Sequence, residues 1–592
     1  MRPAFAVARD LPIGCLLLAI ATAPAAAQQA AIETAPEIER ASPRLAVAAV
    51  DWSAARQTLA TLKESVDTEP APDPLAALDA ATAKLFPNIA ASPVPVLLPF
   101  DTAALLRDAA QGVTADAGKY LSDFQAPAVF LAGPSGYDAE FALPHDAGGL
   151  QLTFARNVEV QITGAAFVYE LAPPLLAEED ALPALQSDFP GIRRVLLEEN
   201  LRYSFTRFGA PYVVSIKCFD GATSARRLSC READKVAVHF LKALNVAGGA
   251  PQTAVNAPPK IARPQPVSPD FTYYAPGDLL PGTGMKGQAG RADATVYAAI
   301  RFPMAQAPDY VNSQSFMNWG DCNFTGRVEV QNGGGKAYRC RVNSIPLLRD
   351  EAKNYAYPWR DNFCEHRDFY VGQCPTGYGH QGEDIRPSSC VLAKPDADRC
   401  EPYQHELLAA ADGVVMRDPG DEALYLVVDR PGEHVRLRYL HMNPQLLDAA
   451  GMINGRVLAA GDVIGTVDDY ERRQGGTTYH LHLDMQVLGR DGWVFVNPYM
   501  TLVAAYERLI GARGRLVRDA PPAADAAPPS AIVAAEGEAS STSGREHRTI
   551  SAAHCQTRIV KGHRRRRCGP DRADGRARRA HAVRAVDRRV SR

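Results

Sequence analysis

The run Tyr479-His480-Leu481-His482-Leu483-Asp484-Met485-Gln486-Val487 alternates polar and apolar residues. A period of two is the signature of a strand. On such a strand His480 and His482 leave one face, while Leu481 and Leu483 leave the other and enter a core. Two imidazoles thus stand side by side on a rigid platform.

Three other short segments in the second half carry chemistry of the same kind: His380-Gln381-Gly382-Glu383-Asp384, Tyr439-Leu440-His441 and Asn497-Pro498. His380 and Asp384 are four apart, which a helix would place on one face. Gly379, Gly382 and Ile385-Arg386-Pro387 argue against a helix there. An extended segment also puts both on one face, and this is the reading adopted. The helical HExxH arrangement is absent. Histidines and a carboxylate at these spacings are suited to a zinc site with three protein ligands and one open position. Such a metal lowers the pKa of water to about 7 and polarises a carbonyl. If two imidazoles and the carboxylate hold it, two more remain for proton transfer. Either short motif alone arises by chance, but their combination, with a third histidine between them, points to a hydrolase. His366, His405 and His434 read as surface or loop histidines without a role.

Together these segments resemble the LytM/lysostaphin-type zinc endopeptidases, which cleave peptidoglycan cross-links. The resemblance rests on His380-Gln381-Gly382-Glu383-Asp384-Ile385, Ala409-Ala410-Ala411-Asp412-Gly413-Val414-Val415, Tyr439-Leu440-His441-Met442, Gly461-Asp462-Val463-Ile464-Gly465, His480-Leu481-His482-Leu483-Asp484-Met485 and Asn497-Pro498. It covers residues 375–505. It implies a mainly antiparallel β catalytic domain in which His380, Asp384 and His482 bind one zinc ion and His441 and His480 form the catalytic pair. No ligand position is substituted. Three features depart from the family pattern. The connection from Ile385 to Ala409 is long and carries Cys390, Cys400 and Asp396-Ala397-Asp398-Arg399. Met442 and Asp484 replace the usual Leu and Glu.

The N-terminus reads as a secretion signal: Arg2 and Arg9, an apolar run from Leu11 to Ala21, then Ala25-Ala26-Ala27-Gln28, with cleavage after Ala27. No later stretch is apolar enough to span a bilayer. The expected location is therefore periplasmic or extracellular, beyond the inner membrane. Apart from Cys15, the cysteines fall into neighbouring couples: Cys218/Cys230, Cys322/Cys340, Cys364/Cys374, Cys390/Cys400 and Cys555/Cys568. In an exported chain these read as local disulfides, four of the cysteines flanking the His380 loop.

A chain of 592 residues holds two or three domains. Residues 28–118 form an Ala/Pro-rich, helical or flexible region, with helical spacing over Trp52–Val66 and Leu75–Phe86. Residues 119–247 read as a small α+β domain: Val158–Ile162 and Tyr212–Cys218 as strands, and Val236, Phe240, Leu241 and Leu244 at helical intervals. Tyr203, Phe205 and Phe208 read as core. Residues 248–289 read as a linker, and 290–510 as the metallopeptidase domain. Its leading strands are expected at Thr295–Phe302, Arg327–Val330 and Tyr338–Val342, with Gly333-Gly334-Gly335 a hairpin turn. Residues 511–592 form a tail too poor in large apolar residues for a core. From Gly544 onward it has 16 basic and 4 acidic residues, against a net charge of -3 for the whole chain. The main body is therefore acidic, and nucleic acid is not an expected partner.

These readings describe a multidomain, exported zinc endopeptidase acting on peptidoglycan stem peptides, with the N-terminal domains available to a cell-division or cell-wall partner. Two rivals share the motifs: a non-catalytic regulator that binds and activates a cell-wall amidase, and a zinc peptidase acting on protein.

Overall fold

The computed structural model describes residues 37–518 apart from 63–72, 114–115, 148, 173–182, 220–224, 253–262, 265, 282, 314–340, 343–344, 347–354 and 388–403, together with 556–560 and 563–567. Residues 1–519 belong to one compact unit and 520–592 to another. In the latter, Gln556–Val560 and His563–Arg567 form an antiparallel hairpin. The signal sequence, Arg327–Val330, the triple glycine and the couples Cys322/Cys340, Cys390/Cys400 and Cys555/Cys568 lie outside the described residues.

The larger unit is mostly β. Its first sheet comprises β1 (Val129–Gly133), β2 (Gly136–Leu143), β3 (Val158–Ala165), β4 (Arg193–Leu197), β5 (Asn200–Arg207) and β6 (Ala210–Lys217), in the antiparallel order β1-β2-β3-β6-β5-β4. One face is apolar: Phe141, Val160, Ile162, Tyr203, Val214 and Ile216 are buried. Against it packs the helix Cys230–Ala243, which buries Val236, Phe240 and Leu241 on one side. Ser229 caps this helix by accepting from the Glu232 amide, and the Cys218–Cys230 disulfide ties it to β6. The opposite face carries Asp138, Glu140, Gln161, Thr163, Arg202 and Ser215, following the same period of two.

The second sheet comprises β7 (Asp309–Val311), β8 (Gly382–Pro387), β9 (Gly413–Met416), β10 (Leu424–Arg430), β11 (Glu433–Leu440), β12 (Val457–Leu458), β13 (Leu481–Gly489) and β14 (Gly492–Val496). The order is β7-β8-β13-β11-β10-β9-β12, with β14 on the far half of β13. Leu481, Leu483, Met485 and Val487 of β13 enter the core, where the helix Tyr499–Ile510 also packs. The period of two is thus realised, and it turns His482, Asp484 and Gln486 to the other face.

Three expectations change. Thr295–Phe302 is not a strand beyond a single bridge from Thr295 to Ala41. Its amides find scattered acceptors: Ala41 O for Val296, Thr501 Oγ1 for Tyr297, Glu433 Oε1 for Ala299 and Ala410 O for Arg301. The expected linker contains a strand, Val267–Tyr273, which runs parallel to Arg513–Leu516 inside the expected tail. The Pro-rich composition hid the apolar Phe271 and Tyr273, both of which are buried. Finally, His434 is neither a surface nor a loop residue. It sits on β11, fully buried, and its Nε2 lies 2.6 Å from Asp138 Oδ2.

No helix among the described residues is long and apolar enough to cross a membrane. Two of the expected disulfides, Cys218–Cys230 and Cys364–Cys374, are formed, which is compatible with an exported protein.

Candidate metal centre

The five singled-out residues meet at one end of the second sheet. β8 pairs with β13 so that Asp384 lies opposite His482, and β11 places Leu440 opposite the same histidine. Asp384 and His482 therefore share a face, with His480 two residues before His482 and His441 just past the end of β11. β8 and β13 approach closely at Gly382, where a Cβ would meet the Leu483 carbonyl oxygen at 2.3 Å. The loop ahead of His380 is closed by the Cys364–Cys374 disulfide. A Cβ on Gly379 would meet Cys364 Cα at 2.7 Å. The His380 amide donates to Glu365 O (2.8 Å), and the Cys364 amide donates to His380 O (3.0 Å).

Asp384 Oδ1 is the hub. It lies 3.3 Å from His380 Nε2, 3.2 Å from His482 Nδ1 and 3.3 Å from His480 Nε2. His380 Nε2 and His482 Nδ1 are 2.9 Å apart. The His441 ring centre is 4.8 Å from that of His480 and 6.0 Å from that of His482.

The other ring nitrogens fix the tautomers. His380 Nδ1 faces Asn362 O at 3.0 Å, His480 Nδ1 faces Thr478 O at 2.7 Å, and His441 Nδ1 faces Tyr470 O at 3.0 Å. A carbonyl only accepts, so each Nδ1 carries the proton and each Nε2 presents a lone pair. His482 is reversed: Nδ1 points inward, and Nε2 lies 3.4 Å from Asp484 Oδ2. Arg438 donates through Nε to that same Asp484 oxygen at 2.6 Å and through Nη2 to Gln381 Oε1 at 2.7 Å.

Charge follows burial. Desolvation pushes His380 down to about 4, against the pull of Asp384. It also holds His441 well below, and His480 below, the ordinary histidine value. Burial opposes His482 too, but Asp384 and Asp484 prevail and raise it. The Asp384 carboxyl lies well below the carboxylate range because His380 and His480 outweigh its desolvation. Buried lone pairs and a carboxylate thus converge on one point, held either by a proton on His482 or by a cation. His380, Asp384 and His482 could hold a metal ion. Two nitrogens and an oxygen fit zinc or a similar divalent ion.

Sequence reasoning missed three supporting residues. Asn362, fully buried, bonds His380 through its backbone oxygen and accepts the Asp384 amide at Oδ1 (3.0 Å). Arg386 donates to Tyr479 O at 3.0 Å and steadies the approach to His480. Arg438 anchors Asp484. None belongs to a recognisable spacing; only the position of Arg386, two after Asp384 on one strand, hinted at a shared face. His441 has φ 73°, a left-handed conformation that a residue with a Cβ adopts at a cost.

No family model and no curated protein sequence matches the chain. A solved structure is similar in part: a protein from Ruminococcus gnavus ATCC 29149 described as a glycyl-glycine endopeptidase LytM, at 22% identity and TM-score 0.18. The match covers 24% of this chain and 53% of that one, so the chain spans about half the length of that structure.

Proposed function

We propose that the chain is an exported zinc-dependent endopeptidase that hydrolyses peptide cross-links of bacterial peptidoglycan. One observation carries this reading: the convergence of His380, Asp384 and His482 with two further neutral imidazoles, His441 and His480, beside them. When bound, zinc supplies Lewis-acid polarisation of a carbonyl and acidifies water.

The protein's own groups supply the rest. The lone pair on Nε2 of His441 or His480 accepts a proton from the attacking water and returns it to the leaving amine. Thr478 O and Tyr470 O hold these rings in the tautomer the step needs. The Asp484–Arg438 pair keeps His482 oriented with Nδ1 inward. Amide and water become carboxylate and amine, and the proton balance closes on the histidine. Zinc as the ion, the histidine roles and the cross-link substrate all belong to this proposal.

The test is mass spectrometry of muropeptides after incubating cross-linked peptidoglycan with the protein, with and without a zinc chelator. Conversion of cross-linked dimers to monomers, stopped by chelation, is expected. Unchanged muropeptides from protein that demonstrably holds zinc would overturn the assignment. Cleavage of a glycine-rich protein in their place would move it to protein substrates.

A further inference from the structure

The two sheets turn polar faces toward each other. At one end they touch: His434 Nε2 meets Asp138 Oδ2 at 2.6 Å, Arg436 Nη2 donates to Asp138 Oδ1 at 2.8 Å, and Trp493 Nε1 donates to Thr163 Oγ1 at 3.1 Å. Beyond these contacts the faces part around a cavity of 720 Å³. Its wall includes Gln381 and Arg438. Gln381 is next in sequence to His380, and Arg438 is bonded to Asp484 behind His482. The cavity therefore adjoins the metal centre, with the first sheet as its roof.

Two features of this cavity point to a ligand. Arg202 on the roof and Arg436 on the floor line it and are 2% and 5% exposed. Arg202 uses Nη2 on Glu198 (3.1 Å), but its Nη1 has no hydrogen-bond partner among the described residues, and neither has Arg436 Nε. A buried guanidinium N–H without an acceptor is costly, and an oxygen anion relieves it. Second, Glu159 of β3 and Asp418, which follows β9, line the cavity from opposite walls, with Glu140 beside them. Burial and the two neighbouring carboxylates push the Glu159 carboxyl up to about 8, which Lys217 offsets only in part. A cation between the walls is the natural complement.

We propose that this cavity binds the zwitterionic end of a peptide arm, with an ammonium between Glu159 and Asp418 and a carboxylate on Arg202. β6 lies between β3 and β5, and Arg202 is level with Gln161, two residues along from Glu159, so the two contacts are about 12 Å apart at the backbone, a gap that side chains and a five-carbon arm bridge. The proposal deepens the endopeptidase reading and rests on it: the roofed side of the groove selects arms that end in both charges and excludes continuous, uncharged chain.

The test is calorimetric titration of the full chain with L-lysine, 1,5-diaminopentane and glutarate, each against metal-loaded and chelator-stripped protein. Lysine is expected to bind about tenfold more tightly than either single-sign probe, equally with and without metal. Replacing Glu159→Gln and Asp418→Asn weakens lysine about tenfold and leaves glutarate unchanged. Arg202→Gln weakens lysine and glutarate about tenfold and leaves 1,5-diaminopentane unchanged; because Arg202 is buried, the carboxylate variant decides if that protein does not fold. No lysine binding, binding lost on chelation, or equal affinity in the carboxylate variant overturns the proposal. Binding that persists while muropeptides stay intact leaves the cavity as a ligand site and removes the endopeptidase reading instead.

Discussion

Asp384 Oδ1, with three imidazole nitrogens within 3.3 Å, makes the site's roles separable by substitution. His380→Ala and Asp384→Ala should lose bound zinc and turnover together. His441→Ala should keep the zinc and lose turnover. Metal analysis beside the muropeptide assay separates the two outcomes, and equal activity in all three variants sinks the mechanism. Behind the ligands, Asp484→Asn should weaken zinc about 10–100-fold, read by competition with a chelating dye; an unchanged affinity would mean that Asp484 does not orient His482. His480 and His482 were legible as a pair from the strand's period of two, whereas the grouping with His380, Asp384 and His441 came from the motifs of the family the chain resembles. Asn362 was not legible, since it meets His380 through its backbone oxygen and the Asp384 amide through a loop side chain that shares no repeating spacing with either.

Among the elements, β13 was legible because its alternation satisfies both a core and a site. Thr295–Phe302 alternates similarly yet forms no ladder, because its amides are taken one by one by distant partners. Pattern reports which side chains are buried, not which acceptor the backbone finds. His434 escaped for another reason: its partner Asp138 lies 296 residues away. Burial opposes the charge on His434, but Asp138 and Asp429 outweigh it and Arg436, so its pKa is raised above 6.5. The contact between the sheets therefore contributes stability that is fully present below about pH 6.5 and is lost as pH rises through the raised value. The melting-temperature difference between the parent and His434→Gln should be largest near pH 6 and shrink toward about pH 9. A difference that stays constant with pH would mean that the imidazole's charge plays no part.

Across the described residues of the larger unit, one covalent tie joins a helix to a sheet and the other holds a loop without regular structure. The Cys364–Cys374 bridge closes the loop whose backbone bonds His380 on both sides. Replacing both cysteines by Ser should cost roughly 2–4 kcal/mol in denaturant unfolding and also weaken metal binding. Loss of stability with unchanged zinc affinity would make the bridge purely structural. Neighbouring cysteines were readable as a local couple. The facing of two polar sheets was not, because each polar face alone looks like an ordinary solvated surface. Only their apposition, through residues far apart in sequence, turns one into the roof of the other.

The left-handed backbone of His441 sets the requirements of function against those of folding. Glycine is the residue that this conformation favours, by roughly 1–2 kcal/mol, and an imidazole is what the proposed chemistry needs. His441→Gly should therefore melt higher than the parent while being inactive. Selection for heat resistance alone would act against the imidazole at this position, so heat-hardened variants from such a screen should be sequenced at codon 441.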